Sequence, residues 1–134
     1  MVTRGPLGLA PETDEFRAQF EQISADADAL VAPLTDEQSA WQPAPDVWSV
    51  SQCLDHLNAT ARQYLPALDD GVAEAVRRGL YGAGPYSYNW IGRLMVYIVQ
   101  PTTRMRAKAP KAFRPEPGRS RHNVVAAFHA YQVQ

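Results

Sequence analysis

Apolar residues recur along this chain at helical intervals. Phe16, Phe20, Ile23, Ala27, Leu30 and Val31 stand three or four positions apart, or side by side, the spacing that gathers side chains on one face of an α-helix. Pro11 and Glu12 open the stretch, with acidic residues where the helix dipole favours them, and Pro33 closes it. A second stripe runs through Val50, Cys53, Leu54, Leu57, Ala61, Tyr64, Leu65, Leu68, Val72 and Val76. Ser49 and Gln52 form the capping-box pattern that starts it, and Gly79 and Gly82 end it near residue 78. Pro66 lies inside this stripe and predicts a kink or a local break.

Between the two stripes, Thr35 and Gln38 repeat the capping box for a short helical turn stopped by Pro43 and Pro45. Trp41 is expected to tuck back on the bundle. The segment LYGAGPYSYNW reads as an ordered loop. Trp90, Ile91, Leu94, Met95 and Ile98 then make a shorter helical stripe that Pro101 ends or bends. After the irregular connection KAPKAFRPEPGRS, Ser120 caps a last stripe of Val124, Val125, Phe128 and Tyr131. This stripe stops in mid-pattern, and the expectation is a chain truncated before a further helix.

The elements sum to an all-α fold, a bundle of antiparallel helices over residues 12–134 preceded by a flexible arm over 1–11. A bundle lacking one helix is expected to leave apolar faces exposed. At 134 residues the chain has the size of one domain, and its 46% apolar and 20% charged residues are those of a soluble globular protein. A net charge of −1 gives no electrostatic basis for binding nucleic acid or an anionic membrane. The basic run Arg104, Arg106, Lys108, Lys111, Arg114, Arg119, Arg121 is interrupted by prolines and reads as a solvated loop, with an anion-binding patch as the weaker alternative. No apolar stretch reaches the ~20 residues of a membrane span, and the N-terminus lacks the apolar core of a signal peptide. The default expectation is a cytoplasmic protein.

Candidate chemistry centres on His56. On a helical wheel it lies roughly 120° from Val50, at the edge of the apolar stripe, a position that suits either a ligand facing a cleft or an ordinary boundary residue. Asp55, its neighbour, points elsewhere and is expected to be solvated or to bond a loop. His122 and His129 are seven residues apart, about 10.5 Å of helical rise, too far to hold one ion together. Cys53, the only cysteine, cannot form an intramolecular disulfide, and its place on the apolar stripe points to packing rather than nucleophilic chemistry.

Taken together, LTDEQSAWQPAPDVWSVSQCLDHLN resembles the DinB-like superfamily of four-helix bundles, through W-S-V at 48–50 and H-L at 56–57. The later AP-K-A-F-x-P, Ala109 to Pro115, resembles members with an insertion between the second and third bundle helices. The resemblance implies a divalent-metal site, zinc or nickel, held by three histidines. His56 matches the histidine of the H-L pair and is the metal-ligand candidate; the other two would stand on a last helix, and neither His122 nor His129 has the spacing to replace them. It also implies activities of the thiol S-transferase type, with a low-molecular-weight thiol or another small molecule as substrate, or of the metal-dependent hydrolase type. The competing expectation is a non-catalytic helical module that dimerises or binds a partner through exposed apolar helix faces.

Overall fold

The computed structural model describes residues 11–82, 87–100 and 108–134. The expectations for the arm at 1–10, the loop centre at 83–86, Pro101, Arg104 and Arg106 lie outside the described residues. Helix α1 spans Pro11–Val31, α2 Asp36–Ala40, α3 Val50–Arg77, α4 Trp90–Val99 and α5 Arg121–Gln132, with a 3-10 turn at Lys111–Phe113 between the last two. There is no strand among the described residues, so the fold is all-α.

Local chemistry sets these boundaries. The Gln38 amide N–H donates to Thr35 Oγ1 at 3.2 Å while the Thr35 N–H donates to Gln38 Oε1 at 2.9 Å. Ser49 and Gln52 repeat both bonds at the start of α3, so each box satisfies two amides that the first helical turn leaves without partners. Asn89 caps α4 through the Gly92 N–H and Ser120 caps α5 through the Asn123 N–H. Gly79, at φ +65°, supplies the left-handed residue beyond the end of α3. Pro66 does not break α3, which runs through it as one helix.

Helix α3 is the spine. It packs against α5, α2 and the 3-10 turn, and α1 completes the bundle by packing on α5. The core is small: Val31, Leu54, Val124 and Phe128 are buried, with Ala27, Val50 and Val125 packed around them. Val124 and Phe128 stand four residues apart on α5 and enter this core together.

The orientation of α3 departs from the apolar pattern. Its buried residues are Leu54, Asp55, Asn58 and Ala59, a sector rotated by roughly 100° from the centre of the apolar stripe. Leu57, Tyr64, Leu68, Val72 and Val76 are exposed, and Cys53 lies at the surface, only partly covered, rather than packed in the core. Distant partners meet the inward polar residues: the Asn58 NH2 group donates to the Val124 carbonyl at 2.9 Å across the α3–α5 contact, while its Oδ1 is buried without a hydrogen-bond partner among the described residues, and Asp55 is bonded as described below. Helix α1 likewise exposes Phe16, Phe20, Ile23 and Leu30, so exposed apolar faces are present as expected. Trp41 does not tuck back; it is 67% exposed.

Arg121 joins the helix ends. Its Nη1 donates to the carbonyls of Val31 at 3.1 Å and Leu34 at 2.7 Å, and its Nε to Asp36 Oδ1 at 2.8 Å. The last turn of α1 has no basic residue of its own. Arg121 therefore brings, from the first turn of α5, the cation that the carbonyl end of a helix favours.

Candidate functional site

His56 sits in the second turn of α3, half-buried. Trp48, just before the Ser49 cap, lays its ring on the imidazole with centroids 5.0 Å apart and planes at 44°. The tryptophan and histidine of the W-S-V and H-L motifs are thus in ring contact. The imidazole Nδ1 lies 2.5 Å from the carbonyl oxygen of Phe113. A carbonyl oxygen only accepts, so Nδ1 carries the hydrogen and donates it. Among the described residues, His56 Nε2 makes no hydrogen bond.

The connection between α4 and α5 supplies that carbonyl, and it is folded onto α3. Phe113 ends the 3-10 turn, with its ring 5.9 Å from that of Tyr64. Asp55 is 1% exposed. It accepts from the Glu116 amide N–H on Oδ2 at 2.6 Å and from Arg119 Nη1 on Oδ1 at 3.0 Å. Arg62, two turns along α3, bonds the Glu116 carboxylate at 3.1 Å. Asp55 is therefore the loop-bonding residue of the two alternatives, not the solvated one. The second half of the basic run corrects the solvated-loop expectation: Arg119 and Arg121 are committed to ion pairs, and Arg114 Nε bonds the Ala109 carbonyl. Losing one partner of a buried charge pair costs about 3–5 kcal/mol in other proteins; Arg119 keeps some solvent contact, which lowers that figure here.

The other candidates stand apart from His56. His122 is exposed. His129 is half-buried, with Nε2 at 2.8 Å from Asp28 Oδ1 across the α1–α5 contact. Partial burial pushes the Cys53 thiol above its ordinary pKa, which disfavours the reactive thiolate. Among the described residues, no group of three or more His, Cys, Asp or Glu side chains is placed to hold a metal ion. A catalytic zinc site takes about three protein ligands and an open position. His56 fits the chemistry of one such ligand, its donor nitrogen set by the bond at the other, but the described residues do not form the full set. Periodicity had no means of finding the Phe113 carbonyl or Arg119, which lie some 60 residues further along the chain and reach α3 only through tertiary folding.

The family model for the DinB superfamily matches residues 19–132. The chain belongs to the DinB superfamily, and its all-α bundle agrees with that membership. No curated protein and no solved structure matches it. Among the described residues, no helix is long and apolar enough to cross a membrane.

Proposed function

We propose that this chain is a divalent-metal-binding DinB protein in which His56 contributes one ligand, through Nε2. The observation that supports this is the restraint on one imidazole: the tilted Trp48 ring against it, the Phe113 carbonyl on Nδ1, and, among the described residues, no hydrogen bond on Nε2. Zinc or nickel would suit an imidazole donor. The activities the family resemblance implies, S-transfer from a low-molecular-weight thiol or hydrolysis, both call for an ion with an open position, and one donor does not derive either reaction. The test is calorimetric titration of zinc and of nickel into the wild type and His56→Ala. Weaker binding or lower stoichiometry in the variant is expected, and identical isotherms would refute the reading.

A second reading is favoured by the exposed apolar residues of α1 and α3: a non-catalytic module that pairs with a second copy or another protein. Apolar surface on this scale marks interaction sites more often than free surface. Sedimentation showing one monomeric species across a wide concentration range would exclude the self-paired form.

A further inference from the structure

Asp55 and His56 are neighbours in sequence, yet their side chains point in different directions and do not bond to each other. They grip the same segment. Asp55 holds the Glu116 N–H and Arg119, and His56 meets the Phe113 carbonyl three residues before Glu116. The segment from 113 to 119 is thus fixed at one end by a buried carboxylate and delivers, at the other, the acceptor that decides where the imidazole proton resides.

We propose that Asp55 is a positioning residue for His56: by docking residues 113–119 on α3 it places the Phe113 carbonyl at Nδ1, which sets His56 as the Nδ1–H tautomer and leaves Nε2 as its bare nitrogen. A free neutral histidine in water prefers the opposite tautomer, with the proton on Nε2, so the fold reverses the solution preference. The bond at one ring nitrogen determining the availability of the other is a general property of imidazole ligands and bases. Asp55 suits this role because it is almost wholly buried and both its oxygens are engaged, so the segment cannot drift without leaving a buried carboxylate without partners. Tyr64 adds a ring contact to Phe113 from the same helix. The proposal deepens the metal-donor reading and rests on it only for what Nε2 then binds.

The experiment reads the tautomer directly in the metal-free full chain. Long-range proton–nitrogen correlation spectra of the histidine rings are recorded above the ordinary imidazole pKa, with His56→Gln providing the assignment. In the wild type, His56 Nδ1 is expected at the protonated-type shift and Nε2 at the bare-type shift. Asp55→Asn, checked for native helix content by circular dichroism, is expected to move the two resonances toward each other or exchange them. Arg119→Lys, which keeps a cation at Asp55, is expected to retain the wild-type pattern. Should Asp55→Asn fail to fold, Arg119→Gln loosens the same clamp from its more exposed side and takes its place. A wild-type His56 with the proton on Nε2, or a folded clamp variant with unchanged shifts, overturns the proposal. Zinc titration then separates the two ideas: wild-type tautomerism as expected, with no change in zinc binding on His56→Ala, would remove the metal reading and leave the positioning role intact.

Discussion

Replacing Arg121 by alanine tests how α1, α2 and α5 are held together. The substitution removes two hydrogen bonds from a cation, to the Val31 carbonyl at the end of α1 and the Leu34 carbonyl in the α1–α2 connection, and one ion pair to Asp36. Hydrogen bonds to charged groups are worth about 1.5–3 kcal/mol each when well shielded. Arg121 retains 32% of its side-chain exposure and Asp36 75%, so solvent screening brings the two carbonyl bonds to about 2 kcal/mol together and the ion pair to about 0.5 kcal/mol. The positive charge at the start of α5 is mildly unfavourable there, by about 0.3 kcal/mol, which the variant regains. The expected loss for Arg121→Ala is therefore about 2 kcal/mol, against about 0.5 kcal/mol for Asp36→Asn. Arg121→Lys should fall between them, since an ammonium lacks the planar fork that reaches three acceptors. Urea unfolding followed by helical circular dichroism measures all three, provided the slopes against urea agree. Equal losses for Arg121→Ala and Asp36→Asn would refute the assignment, as would a loss abolished by high salt, because only the exposed ion pair is strongly screened.

Two further outcomes follow from burial. Phe128→Ala removes a side chain that is 2% exposed at the centre of a four-residue core; a loss of about 3–5 kcal/mol is expected in the same assay, while Phe20→Ala, at 52% exposure, should cost under about 1 kcal/mol. The Cys53 pKa is raised by partial burial, so at a given pH less of it is thiolate than in a free cysteine. Alkylation by iodoacetamide should accordingly have its pH midpoint above that of a model thiol, and a midpoint at or below the model value would contradict the burial.

Much of the helical layout was readable from local signals. The capping residues Thr35, Ser49 and Ser120 stand where the sequence placed them because a cap acts within three residues. The face of α3 was not readable in the same way. Its apolar stripe implied Cys53 and Leu57 inside, whereas Asp55 and Asn58 are buried, with Glu116 and Arg119 bonding the carboxylate and the Val124 carbonyl accepting from the Asn58 NH2 group, all from more than 60 residues away. Periodicity weighs hydrophobicity and has no term for a distant partner that neutralises a buried polar group. For His56, the family motif singled out the residue as a candidate; its ring contact with Trp48 and its bond to the Phe113 carbonyl became visible only with the chain folded. The local break that Pro66 allowed is absent for a different reason, since α3 absorbs one missing amide within a continuous helix.

Glu116 lies between Pro115 and Pro117, so the amide that Asp55 binds is the only one in that tripeptide able to donate. A shift of the segment by one residue in either direction would present the buried carboxylate with an imide nitrogen that bears no hydrogen. The two prolines thereby act as a register key: they exclude the nearest misalignments by removing the donor that would stabilise them. A change of either proline to alanine would leave the native bond in place while admitting a competing alignment, with Ala112 or Arg114 offering its carbonyl to His56 instead.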